Sequence, residues 1–311
     1  MNKIKKYSLT FLIFTIIILI FKYNYILQKS VLEGVSLWLT KVFPSLFIMF
    51  ILNDLIINLD ILNSLTKLIN PIFNKIFKTT GNSSDVFILS IFSGTPASAF
   101  IIKEMLNTNQ ITINNANKLI SFTFFSNPLF LYNILQLSFN KYITFKIIII
   151  HYLSNLIIGL IFRNKNIIKD NYLYLKNTNN NAKNIFLLLP KAIKKSTETL
   201  LIILGTIIFY MIITNLIMKI LPQNNYLEIT IKGILEITQS LNILPTLNSK
   251  SIIKETIAIA IISFGGLSIH TQTLSIINDT KIKYKNFLIG RILHTLISTN
   301  TYLLFYFATF S

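Results

Sequence analysis

Long apolar runs dominate this chain, and they constrain it more than any single motif does. Residues 7–21 carry no charge at all, and stretches of similar character cover roughly 31–59, 86–106, 119–139, 142–162, 197–221, 252–277 and 287–310. About 20 apolar residues are needed to cross ~30 Å of hydrocarbon as a helix. Only 13% of the residues are charged and the mean hydropathy is +0.61, where soluble domains carry about 25% charge. These values exclude a soluble enzyme and a disordered tail. The runs are continuous rather than alternating, which excludes an outer-membrane barrel. The expectation is an all-α polytopic membrane protein, integral and multi-pass.

The net charge of +18 fits cytoplasmic loops rich in Lys and Arg and an anionic cargo; no nucleic-acid partner is expected. There is no cysteine, so disulfides, thiol nucleophiles and cysteine-held metals are excluded. Residues 1–6 are basic and precede the uncharged run. The bulky stretch 22–29 then offers no small-residue cleavage site. Residues 1–30 therefore read as an uncleaved transmembrane anchor with a cytoplasmic N-terminus.

Two of the apolar stretches are interrupted. The sequence Ser93-Gly-Thr-Pro-Ala-Ser98 breaks 86–106, and Phe264-Gly-Gly-Leu-Ser-Ile-His270 breaks 252–277. Each arm is too short to span a bilayer alone. Such a segment either crosses as a broken helix or turns back, and charge counting separates the two. If both turn back, the N-terminus, 61–85, 107–118 and 163–195 share the cytoplasmic side with 15 Lys and Arg. The stretches 22–30, 140–146, 222–250 and 278–286 then carry 9. If every segment crosses, the count is 10 inside and 14 outside. The positive-inside rule favours the first arrangement: about six full transmembrane helices plus two re-entrant hairpins. Stretches 61–78 and 227–244 read as interfacial amphipathic helices.

The order span, amphipathic stretch, hairpin, broken span occurs twice, which reads as a transporter-like inverted repeat. The chain divides into the anchor (1–30), a first repeat with a linking span (31–162), a basic cytoplasmic loop (163–195) and a second, inverted repeat (196–311). Helix ends left inside a bilayer carry free N–H groups that suit a carboxylate or phosphate. The expected substrate-binding residues are Ser93, Gly94, Thr95 and Pro96 at one break and Gly265, Gly266, Ser268 and His270 at the other. Ser126, Asn127 and Pro128 in the span after the first, and Ser298 and Asn300 in the last span, complete the polar breaks. Arg291 ranks first among buried charges, because its planar fork suits carboxylates, with His294 one turn on. No catalytic residue, metal ligand or cofactor is expected, and no phosphate-binding loop occurs. A serine hydrolase built on Ser93 lacks a second catalytic motif.

At these motifs the chain resembles the YlbJ-type (stage V) sporulation integral membrane proteins of endospore-forming Firmicutes, grouped with nucleoside-recognition or Gate domains. The resemblance is carried by Phe43-Pro-Ser45, Phe92-Ser-Gly-Thr-Pro-Ala-Ser-Ala99, Leu119-Ile-Ser-Phe-Thr-Phe-Phe-Ser-Asn-Pro-Leu-Phe130, Phe264-Gly-Gly-Leu-Ser-Ile-His-Thr-Gln272, Lys283-Tyr-Lys285 and Arg291 with His294. Thr95 and Ser98 depart from the family's Tyr and Gly at the first break. The resemblance implies two Gate-like repeats and passage of dipicolinic acid, a small anionic solute, across the mother-cell-derived outer forespore membrane. The cell membrane is the other location considered. A non-transporting structural or assembly factor of the spore envelope is the alternative. The lipid bilayer is a partner in either case, and a homo-oligomer is left open.

Overall fold

The computed structural model describes residues 3–59, 61, 63–163 and 184–310, and among them it holds helices and no strand. The basic loop expected at 163–195 lies outside the described residues between 164 and 183. Helix α1 (Lys3–Lys22) leads into α2 (Asn24–Leu37), which continues through a π-helical turn (Trp38–Val42) into α3 (Phe43–Asn58). An amphipathic helix, α4 (Asn63–Phe77), follows. Next come α5 (Ser83–Ser93), α6 (Ala97–Asn107), α7 (Ile113–Phe122), α8 (Pro128–Leu135) and α9 (Lys141–Ile161). The second half holds α10 (Ile185–Ile220), α11 (Asn225–Leu235), α12 (Ile237–Ile243), α13 (Ser251–Phe264), α14 (Gly266–Ile277) and α15 (Tyr284–Phe310). Among the described residues, four stretches are long and apolar enough to cross a membrane by length and hydropathy: Asn24–Asn58, Lys141–Ile161, Ile185–Ile220 and Ser251–Ile277.

Local sequence explains the helix starts. Thr112, Asn140 and Asn224 accept hydrogen bonds from the first-turn amides of α7, α9 and α11, the usual use of such residues. Apolar side chains on the facing sides pack into one continuous core, from Trp38 and Phe50 through Phe122 and Ile147 to Ile262 and Tyr302. Trp38 also donates its indole N–H to Leu200 O across 3.1 Å, fixing the α2–α3 unit against α10.

Helices α5 and α6, on either side of the first interruption, pack against each other as a hairpin. The helices on either side of the second do not. Helices α13 and α14 meet only at their shared break and form one long broken span. Glu255, early in α13, bonds Tyr302 near the end of α15, whereas α14 ends beside the start of α15. The pair therefore runs the length of α15 and corrects the re-entrant reading of 252–277. The second hairpin is built from 225–243, the stretch read as an interfacial helix. There Ser240 Oγ donates to Ile229 O at 2.7 Å, a contact that α11 and α12 reach only by folding back. Each arm is too short to cross but long enough to reach mid-bundle.

The order hairpin, broken span, span thus appears as α5–α6, α7–α8, α9 and again as α11–α12, α13–α14, α15. The hairpins enter from opposite ends of the bundle. One end gathers Lys195 with Asp54 (2.8 Å) and Glu104 (3.4 Å), Lys103 with Asp279 (2.7 Å), and the Lys283 N–H on Asn117 Oδ1 (2.7 Å). The other gathers Asn215 with Ser30 (2.8 Å) and with Gln239 of α12 (3.1 Å). Stretch 278–286 therefore shares an end with 107–118, not the opposite end that the hairpin reading of 252–277 gives it. In the exposed 278–283 turn, the hydrogen bond from Lys103 holds the Asp279 carboxyl below its usual range.

Candidate substrate site

Both hairpin tips and both helix breaks meet at one cavity. At the first tip, Gly94 adopts φ +68° and Thr95–Pro96 is a cis peptide. A Cβ on Gly94 would lie 2.4 Å from the backbone N of Asn127. The tip is therefore docked on the α7–α8 break, at a distance and a φ that only glycine accepts. Asn127 joins the two pieces. Its Nδ2 donates to Phe92 O (2.7 Å), while its Oδ1 accepts from the Leu129 and Phe130 amides (2.9 and 3.0 Å) and caps α8. Pro128 occupies the first turn, where no N–H is missed.

The second tip repeats the arrangement. Gly266, at φ +67°, would place a Cβ 3.1 Å from Ile237 Cγ2 and 3.3 Å from Ile237 N. Gly265, left-handed at φ +90°, ends α13. Between the hairpin arms stands Glu236, 2% exposed and in extended conformation. Its carboxylate accepts from the Gln239 amide (2.9 Å) and from Thr238 Oγ1 (3.0 Å), capping α12.

The cavity between these pieces is walled by Thr95 and Pro96, Ser126 and Asn127, Glu236 to Thr238, and Ser268 and Gln272. Apolar residues of α3 and α10, among them Leu46, Ile203 and Ile207, close it. Its water-accessible volume is about 40 Å³, room for a few waters and too little for an aromatic dicarboxylate unless the hairpins part. Ser268 Oγ, in a residue 1% exposed, faces the Glu236 carboxyl without making a full hydrogen bond.

Of the residues expected from sequence, Thr95, Pro96, Ser126, Asn127 and Ser268 line the cavity. Gly94, Pro128, Gly265 and Gly266 shape the tips and breaks that form it. The other six lie elsewhere. Ser93 Oγ donates within its helix to Leu89 O (2.6 Å). Ser298 pairs with Ser263 between α15 and α13 (2.7 Å), and the exposed Asn300 donates to Leu296 O (2.7 Å). His270 bridges Tyr284 Oη (2.7 Å) and Phe264 O (3.2 Å).

Arg291 and His294 form a second polar cluster. Arg291 Nη1 donates to Phe124 O and to His294 Nδ1, both at 3.0 Å. Its Nη2 donates to Asn155 Oδ1 (2.9 Å) and Ser121 O (3.3 Å). The guanidinium lies over the Phe124 ring at 5.5 Å and the Phe287 ring at 5.8 Å, a cation–π arrangement. His294 Nε2 donates to His151 O (2.9 Å), so its Nδ1 is free to accept from Arg291. His151 Nε2 in turn accepts the Ser126 amide (3.1 Å). Arg291 therefore satisfies carbonyls that the α7–α8 break exposes, at the negative end of α7. None of its bonds reaches the cavity.

Sequence reasoning missed Glu236, Thr238 and Gln272. The available signal was an acid followed by Ile-Thr-Gln-Ser, a helix start inside a stretch too short to span. It was masked by Glu228 and Lys232, which give the segment the look of a surface helix.

No family model and no solved structure matches the chain, and the Gate-domain grouping rests on the motifs alone. The chain is similar to the sporulation integral membrane protein YlbJ of Bacillus subtilis (strain 168), 29% identical over 297 residues that cover 84% of this chain and 72% of that protein. With the motifs pointing the same way, this similarity supports a YlbJ-type protein.

Proposed function

We propose that the chain is a multi-pass transporter with a role in spore formation, carrying a small organic anion through the cavity between its hairpins. The name of the similar protein supports the membrane and sporulation setting. One observation carries the transport reading: two hairpin tips and two helix breaks, entering from opposite ends, converge on one cavity that sets a few polar groups among apolar walls. Interrupted backbone at membrane depth persists where protein or a ligand satisfies it, and inverted repeats of this kind hold their substrates there. Asn127 and Glu236 already cap α8 and α12, which leaves the N-termini of α6 and α14 to receive a carboxylate. The resemblance points to dipicolinate and to the outer forespore membrane. The structural and assembly reading leaves the convergence without a purpose.

Sidedness follows from where the loops gather. With 278–286 on the same end as 107–118, the described residues of that end and the N-terminus together hold 14 Lys and Arg, and the opposite end holds 6. The first end is therefore cytoplasmic. Single cysteines at Asn109, Asn278 and Asn248 test it in a chain that has none of its own. An impermeant thiol reagent should label only Asn248→Cys in intact cells; opposite accessibility of positions 109 and 278 would break the topology.

The transport reading is tested with vesicles holding the purified protein. Labelled dipicolinate should enter saturably, and excess unlabelled dipicolinate should suppress entry. Uptake no faster than in protein-free vesicles, alongside capture of a specific spore-envelope partner, would replace it with the assembly reading.

A further inference from the structure

The cavity wall contains a carboxylate and no cation. Glu236 is 2% exposed, accepts from the Gln239 amide and the Thr238 hydroxyl, faces the Ser268 hydroxyl, and has no ion-pair partner among the described residues. The titratable groups on the elements packed around it are committed elsewhere or distant. On α11, Lys232 pairs with Glu228 at 2.5 Å, and Tyr226 sits at the far end of the hairpin. On α13, Glu255 bonds Ser251 and Tyr302, and Lys254 donates to Pro245 O. On α14, His270 bridges Tyr284 and Phe264; on α8, Tyr132 lies against Phe145. On α10, Tyr210 bonds Thr271, Lys219 ends the helix, and Lys191, Lys194, Lys195 and Glu198 lie toward its other end. Nothing nearby balances a negative charge at Glu236.

An unpaired carboxylate is expensive to keep in a dry interior, and an ionised one repels an incoming anion across the same small cavity. A protonated carboxyl does the reverse: it donates a hydrogen bond to the anion. Ser268, whose hydroxyl makes no full hydrogen bond, stands in the same wall beside Glu236. A metal cation is less well served, because no cluster of three acidic or histidine side chains exists among the described residues. We propose that Glu236 is the proton site of this cavity, and that proton and organic anion bind together, each favouring the other. The inference rests on the transport reading and gives it a coupling ion. The proton is taken from water on one side, held on Glu236 while the anion is bound, and released with the anion on the other.

The experiment measures dipicolinate affinity of the purified protein between roughly pH 6 and pH 8, where the ligand itself stays a dianion. One linked proton predicts that wild-type affinity weakens by up to about ten-fold per pH unit. Glu236→Gln keeps the hydrogen-bond acceptor and lacks the charge, so its affinity should be flat across the range. A wild type that is flat, or a Gln variant with the wild-type slope, overturns the proposal. An affinity that follows sodium at constant pH and loses this dependence in Glu236→Gln also overturns it, by making Glu236 a cation ligand. If wild type binds no dipicolinate at any pH, the substrate reading has failed, and infrared absorption then decides on the proton. A protonated-carboxyl C=O band present in wild type at neutral pH, bleached by alkali and missing in Glu236→Gln, supports the proton site; its absence from wild type overturns it.

Discussion

Two polar clusters flank the α7–α8 break, and they differ in where their bonds go. In the cluster of Arg291, His294, His151 and Asn155, the guanidinium Nη donors and His294 reach carbonyls or each other, while Arg291 Nε and His151 Nδ1 stay unpartnered away from any cavity, and the residues are fully or almost fully buried. In the cavity cluster, Ser268 makes no full hydrogen bond and Glu236 is a carboxyl with no ion-pair partner among the described residues, around a space of about 40 Å³. The first has the richer charge content and the look of a binding site in sequence. Its chemistry is consumed in holding a broken helix together. The second has one acid and several neutral groups, and some of that capacity remains open. Polar groups that face a cavity mark a candidate site better than charge does, since unpartnered donors occur in both clusters and only those of the second open on space.

Arg291 gives the largest expected effect that separates the two. Arg291→Gln leaves Ser121 O, Phe124 O and Asn155 Oδ1 short of donors in a buried setting, at about 1–3 kcal/mol for each group left unsatisfied. Thermal unfolding in detergent should show a loss of several kcal/mol, or no folded protein at all. Arg291→Lys should restore part of it, since an ammonium keeps the charge but cannot reach all four acceptors in the geometry of the planar fork. Among variants that still fold, dipicolinate should keep its preference over a neutral aromatic of similar size. An Arg291→Gln protein that melts like wild type and loses that preference would move Arg291 into the binding site and erase the distinction.

Sequence reached the first half of the cavity for a physical reason. The tip at Gly94–Pro96 and the break at Ser126–Pro128 sit in strongly apolar runs, where Gly, Pro and Asn stand out as interruptions. The second half was half-legible. Gly265 and Gly266 were found as a break, but a break alone does not say whether the chain turns back. That depends on which neighbours each arm meets: α13 lies along α15, while α14 packs on α10 and α6. The charge count was decided by stretches far from the break and balanced a misplaced loop against the basic stretch 163–195. Glu236 was lost because mixed charges on a short amphipathic segment suit an interface as well as a hairpin whose arms pack inward. Ser298 and Asn300 looked like a further polar break, yet the helix is continuous there, with Asn300 bonding back to Leu296 O within it.

Ser268 gives the smallest and sharpest effect. Its hydroxyl lines the cavity and faces the Glu236 carboxyl without a full hydrogen bond, so Ser268→Ala removes little that supports the fold. The unfolding midpoint should stay within the range of ordinary neutral substitutions, about 0.5 kcal/mol. Dipicolinate binding should weaken by roughly 0.5–1.5 kcal/mol, the worth of one neutral hydrogen bond. Ser298→Ala provides the contrast. It breaks the buried pair with Ser263 between α13 and α15 and should lower the midpoint while leaving affinity unchanged. The two serines are both buried and both within the bundle, so volume and hydrophobicity change alike. Only the destination of the hydroxyl differs. If Ser268→Ala loses stability and keeps affinity, the open hydroxyl is a packing feature and the cavity belongs with the Arg291 cluster as scaffold.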